Sequence, residues 1–221
     1  MSATFQPFGL KPVYHPSGLD RAVPFVGTNT YVTGTTYTAP YSLTGAQVAF
    51  YQYQPVAITT SGQLTVANQT AGSGKVYGVF DGVEYTNSDG RRSVAKYATK
   101  ATLDASTSIV FWIFSDPALV YEAQINGSAT TAAIGTEYNF DTTAGSLVTD
   151  GTAIGVGGAG FSKTALLATA VGSGNQGQVR VVGLGREVAY PAGNTNAWGD
   201  AYTIVQVQIS NNQFAAASVS V

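Results

Sequence analysis

Cysteine is absent from these 221 residues, which excludes disulfides, thiolate nucleophiles and zinc–thiolate sites together. Histidine occurs once, as His15 between Tyr14 and Pro16. Nucleophilic triads and imidazole metal sites lean on histidine as base or ligand, and no partner base or nucleophile is in view. His15 therefore reads as an exposed or packing residue. Charge is scarce too: Asp, Glu, Lys and Arg make up 10% of the chain, against roughly 25% in an ordinary soluble domain. With 10 basic and 12 acidic residues the formal net charge is −2. A nucleic-acid binder needs a stripe of Lys and Arg to displace condensed counterions. The densest basic stretch here, Arg91-Arg92 with Lys96 and Lys100 nearby, reads as a solvated turn, so no direct nucleic-acid partner is expected. No apolar run approaches the roughly 20 residues that span a bilayer. The start, MSATFQPFGL, lacks a basic n-region and a long apolar h-region, so neither a signal peptide nor a membrane partner is expected.

Apolar residues, by contrast, make up 44% of the chain, enough for a real core. With so few charges, much of the surface must be Thr, Ser, Asn, Gln, Ala and Gly, a composition that suits a protein packed against others. Helical periodicity is nearly missing; residues 162–171 (SKTALLATAV) are equally compatible with a short capped helix and a strand. Strand signals are plentiful. Residues 46–53 (AQVAFYQY) are aromatic and β-rich, with Pro55 expected to close them. Residues 63–67 form a short run. Residues 75–85 (KVYGVFDGVEY) are two runs joined at Asp81-Gly82, a tight turn or a bulge. Asn87-Ser88-Asp89-Gly90 is a second turn signal. Residues 108–114 (SIVFWIF) read as a strand buried on both faces. After Asp116-Pro117 come 119–125, 136–140, 178–184 and 202–209, the last alternating so that Val205, Val207 and Ile209 share one face and Gln206 and Gln208 the other.

The pattern predicts an all-β protein: an extended N-terminal arm (1–44), followed by two small antiparallel β-barrel or sandwich modules (45–115 and 116–221). The arm holds five of the eight prolines (Pro7, Pro12, Pro16, Pro24, Pro40), which disfavour a long helix and a central strand. Residues 145–177 form a Gly-rich loop region within the second module.

Motifs with chemical meaning fail on their context. Residues 155–160 match GxGxxG, but no hydrophobic parallel strand precedes them and no acidic residue follows about 20 positions on. Gly72-Ser73-Gly74-Lys75 lacks the Ser or Thr after Lys that a phosphate loop needs. The carboxylate pairs Asp81 with Glu84, Asp116 with Glu122, and Glu137 with Asp141 could in principle run acid–base chemistry, but few acidic residues are present and turns and solubility claim most of them. The sequons at Asn68 and Asn126 read as chance. Aromatics at 11% of the chain could stack on sugars, yet β-core and interface packing explains them more simply. The expectation is no enzyme, no cofactor, no metal and no catalytic residue.

Four strings resemble the decoration or cement proteins that coat the heads of tailed bacteriophages. They are 5–18 (FQPFGLKPVYHPSG), 78–92 (GVFDGVEYTNSDGRR), 116–124 (DPALVYEAQ) and 196–214 (NAWGDAYTIVQVQISNNQF); residues 145–177 and 28–41 have no counterpart. The resemblance implies a virion structural protein, made in the host cytoplasm and placed on the head exterior. It would stabilise the capsid, with the major capsid protein and its own copies (a homotrimer) as partners. The arm residues Phe5, Phe8, Leu10, Val13, Tyr14 and Phe25 are apolar anchors with little local structure to bury in, and are expected to contact those partners. The alternative is a tail-associated or receptor-binding β module that recognises host surface glycan.

Overall fold

The structure, a computed structural model, describes residues 5–18, 21–26, 31–32, 36–37, 39–44, 49–67, 74–141, 162–186, 188–189 and 194–214. The strands before residue 80 are β1 (Lys11–Tyr14), β2 (Val23–Phe25), β3 (Tyr31–Val32), β4 (Thr36–Tyr37), β5 (Ala49–Tyr51), β6 (Gln54–Ile58), β7 (Leu64–Val66) and the start of β8 (Gly78–Thr86). There follow β9 (Arg92–Ala95), β10 (Tyr97–Thr99), the helix α1 (Lys100–Asp104), β11 (Thr107–Phe114) and β12 (Val120–Gln124). A 3-10 turn (Thr131–Ala133) precedes β13 (Glu137–Tyr138), β14 (Val179–Leu184), β15 (Val188–Ala189), β16 (Asn194–Thr195) and β17 (Ile204–Ile209). The protein is all-β, as its alternation requires.

The first of two large antiparallel sheets has the order β1-β12-β17-β14-β13. Its inner face follows directly from period-two alternation: Tyr121 and Ala123 of β12, Val205, Val207 and Ile209 of β17, and Val179 and Val181 of β14 enter one core with Leu10, Phe140 and Leu166. Each large side chain so buried is worth roughly 1.5–3 kcal/mol before ordering costs. Tyr121 takes its hydroxyl into this core, where it donates to the Phe114 carbonyl (3.2 Å); burial pushes its pKa up.

The second sheet runs β2-β11-β8-β6-β7, with β9 also on β8. Phe50, Phe80 and Phe111 lie within 5.3–6.3 Å of one another by ring centroid, and Tyr41 packs edge-on to two of them. Asp81-Gly82 is a bulge: β8 runs through it, and Trp112 faces Gly82 while Ile113 faces Phe80, leaving Asp81 the extra residue. Pro55 does not close a strand but lies inside β6, opposite Val79. β11 alternates, with Ile109, Phe111 and Ile113 buried and Val110 and Trp112 half-buried, so only one of its faces is fully covered. α1, unanticipated from periodicity, is capped by the Thr99 hydroxyl accepting from Thr102 N (3.1 Å). Residues 162–171 are neither helix nor extended strand; Leu166 forms isolated bridges to Ile125 and Phe140. Both large sheets are open in the described residues, with an edge at each end of the strand order, and closure into barrels is not part of their pairing.

Apart from its edge strand, the first sheet draws on residues after 116 and the second on residues between 45 and 115. Those edge strands both come from the expected arm: β1 pairs with β12, and β2 with β11. Before β1, the Leu10 N–H donates to the Tyr53 carbonyl (2.8 Å). Tyr53 sits at φ +66 between β5 and β6, and its own N–H donates to Phe80 (2.7 Å). Further ties join the two halves. The Gln213 side chain both accepts from Ile58 N (2.8 Å) and donates to Ile58 O (2.6 Å), and Gln178 Nε2 donates to Gly74 O (3.0 Å).

Gly9 is where the arm passes closest to the body. Its φ is +79, and a Cβ there would collide with the Tyr53 carbonyl oxygen and lie 2.8 Å from Ser162 Cβ. Gly9→Ala is therefore expected to lower the unfolding free energy by about 2–5 kcal/mol, combining left-handed strain with overpacking. Gly18→Ala, at φ +68 in open space, should cost only about 1–2 kcal/mol. Urea titrations of the two variants check this, and equal losses would contradict it.

Candidate interaction face

The side chains with reactive potential are tied up separately. Asp81 is bound by Lys96 (3.0 Å) and by Gln52 Nε2 (2.9 Å), and Glu84 pairs with Arg92. Glu137, wholly buried, meets Arg180 Nη2 (2.9 Å), while Asp141 accepts from Asn126 Nδ2 (2.6 Å). Each of these four carboxylates has its own cationic or amide partner. His15 is buried: Nε2 lies 3.0 Å from Asp116 Oδ2, and Nδ1 accepts from Ser17 N (3.0 Å). The Ala118 amide, donating to Asp116 Oδ1 (2.8 Å), holds that carboxyl below the usual range, with help from His15. His15 thus fastens the end of β1 to the turn before β12. Among the described residues no group of three or more His, Cys, Asp or Glu side chains could hold a metal ion, and no helix is long and apolar enough to cross a membrane.

A concave feature with mixed chemistry lies on the outer face of the first sheet. It is a groove of about 690 Å³ over β1, β12, β17 and β14. Register builds it: Lys11 faces Glu122, Glu122 faces Gln206, and Gln206 faces Gly183, so these side chains form one row across the sheet. Beside the row stand Val13 at the β1 irregularity, Val120 and Val182, with Tyr14 and Arg186 completing the lining. Glu122 is only 5% exposed, and its Oε1 accepts from Arg186 N (2.8 Å). Lys11 and Arg186 are exposed and form no ion pair among the described residues.

The six arm residues separate in space. Leu10 is fully buried in the chain's own core, because its amide is drawn to Tyr53; that side chain is not free for a partner. Phe5 is half-buried against Tyr202 (ring centroids 5.3 Å), and Phe8 is half-buried. Phe25 packs on the second core and on Tyr77 (5.8 Å). Only Val13 and Tyr14 meet in the groove, Tyr14 being 58% exposed. Lys11, Val182 and Arg186 were not singled out from sequence; Glu122 was weighed there only as half of a carboxylate pair, and Gln206 as part of a polar strand face. The alternation of β12 and β17 carried the signal for Glu122 and Gln206; nothing local marks Arg186. The GxGxxG at 155–160 and the sequon at Asn68 lie outside the described residues. Of the other exposed apolar side chains, Val23 and Val26 lie on and just after β2, and Val94, Tyr97, Ile134 and Phe214 lie on separate segments.

In comparisons with protein-family models, curated proteins and solved structures, nothing matches this chain. The division between core and surface in the arm is open to direct test. Leu10→Ala should cost about 2–5 kcal/mol of stability, whereas Tyr14→Thr and Val182→Thr should each stay within about 0.5 kcal/mol of the parent. Chemical denaturation measures all three.

Proposed function

We propose that this chain is a non-enzymatic structural protein of a tailed-bacteriophage virion, one that decorates the outside of the head and cements its shell. The observation carrying this reading is where the family-like strings fall. Residues 5–18, 116–124 and 196–214 supply β1, β12 and β17, which are neighbours in one sheet, and the outer face of those strands carries most of the groove. The fourth string, 78–92, contributes β8 and the turn into β9. Its partners in this reading are the major capsid protein and further copies of itself. Val13 and Tyr14, of the six arm residues, are the ones offered to a partner on that face.

Physical features support the same reading. The edge strands β1 and β2 each contain a proline, Pro12 and Pro24, which lacks a donor and blunts uncontrolled edge pairing. A surface so poor in charge gains little from mutual repulsion in solution, and is better suited to permanent contact. One observation favours the glycan-binding alternative: Phe25, Tyr77 and Phe214 form a row with centroids 5.8 and 5.5 Å apart, and Phe214 is exposed at its end. Sugars stack on such rings.

Purified chain mixed with expanded heads lacking decoration should co-sediment saturably and raise the temperature at which the heads release DNA. Absence of binding to heads would overturn the proposal, as would antibody label confined to the tail tip. Saturable binding to host polysaccharide would favour the glycan reading in its place.

A further inference from the structure

The groove combines an apolar floor with two kinds of unmet polar demand. Val13, Val120 and Val182 offer aliphatic surface. Lys11 and Arg186 bring two cations without an ionic partner among the described residues. Glu122 is nineteen-twentieths buried, and one of its oxygens is taken by Arg186 N. Its other oxygen accepts no hydrogen bond from the described residues and keeps contact with solvent, so a donor entering the groove can reach it.

We propose that this groove receives an extended acidic segment of a different protein, with an aliphatic residue beside its carboxylate. The carboxylate sits between Lys11 and Arg186, the aliphatic side chain lies on the three valines, and a backbone N–H or hydroxyl of the segment donates to the open oxygen of Glu122. The inference rests on the shell-decoration reading for where such a segment comes from, and adds its chemistry.

Other occupants fit less well. Strand addition along the free edge of β1 is hindered by Pro12, so the segment crosses the face. Two cations around a carboxylate are too few for a phosphate backbone, which demands a stripe of basic residues. A second copy of this chain has no free carboxylate to give among the described residues. Asp81, Glu84, Asp89, Asp104 and Glu137 are in ion pairs, and Asp116, Glu122, Asp141 and Asp200 accept from Ala118 N, Arg186 N, Asn126 Nδ2 and Ala197 N. Asp20, Asp150 and Glu187 lie outside the described residues, and the proposal takes the complementary acid from a different protein.

The test uses the full-length, isotopically labelled chain titrated with three capped synthetic peptides in which Val alternates with Glu, with Gln or with Lys. The Val/Glu peptide should shift the amide resonances of Lys11, Val13, Val120, Val182 and Arg186 saturably. It should also bind more weakly as salt rises. The double variant Lys11→Gln, Arg186→Gln should bind it at least about tenfold more weakly, a loss of about 1.4 kcal/mol, while unfolding at the parent's temperature. Equal or tighter binding of the Val/Lys peptide, undiminished binding by the double variant, shifts confined to other elements, or no saturable shift at all would each overturn the proposal. Heads take no part in this assay, so its failure leaves shell decoration untouched, and failure to bind heads leaves the groove result standing.

Discussion

Backbone polar groups at a sheet edge that faces the interior must be paired, and between Gly9 and Phe25 one short segment meets that demand for both sheets of this protein. It gives β1 to one sheet and β2 to the other, and between the modules the Leu10 amide reaches the Tyr53 carbonyl. Gly9 permits the approach because no side chain intervenes. His15 holds the far end of β1 against Asp116. What composition alone presents as a loose arm is in this way a seam along the body. The seam also decides what stays outside: β1 covers one edge of the first sheet, and the same strand turns Lys11 and Val13 toward the groove.

The second consequence concerns charge. Acidic side chains are few, and those in the described residues are each engaged by a cation, an amide or a backbone N–H. Exposed pairs such as Lys100–Asp104 add little to stability. The buried Glu137–Arg180 pair is tied as well to Gly177 N and Gln176 Nε2, and removing either partner would strand a charge in the interior. Against this background Lys11 and Arg186, like Arg21 and Lys75, form no ion pair among the described residues, and Lys11 and Arg186 share the groove. Recognition then depends on shape, aliphatic contact and a small number of placed charges, not on a long-range field.

Legibility in the sequence followed locality. The Asn87-Ser88-Asp89-Gly90 turn is visible because Gly90 needs a left-handed backbone (φ +82) and Asn87 closes it through Arg91 (2.8 Å). The faces of β17 are visible because Val205, Val207 and Ile209 alternate with glutamines. Of the groove, Val13 and Tyr14 were legible as apolar residues without a local core, but Lys11, Val182 and Arg186 were not. Their meeting depends on β1 pairing with β12 from more than a hundred residues away, and on the irregularity at Val182, the extra residue of β14 against β17. Leu10 failed for the same reason: apolar, proline-flanked sequence looks unburied until the carbonyl that captures its amide is known. Pro55 ends no strand because β6 pairs through it: it lies opposite Val79 and its carbonyl accepts from Ala67 N (3.0 Å), although the ring supplies no donor. α1 is one turn long, too short for periodicity to register.

Native-state hydrogen exchange on the intact chain reads the seam most directly. If the segment is part of the body, the Leu10 amide should exchange only through global unfolding, with the same opening free energy as the Val205 amide of β17. Exchange of Leu10 at the rate of an unstructured peptide while Val205 stays protected would show a detached arm and contradict this account.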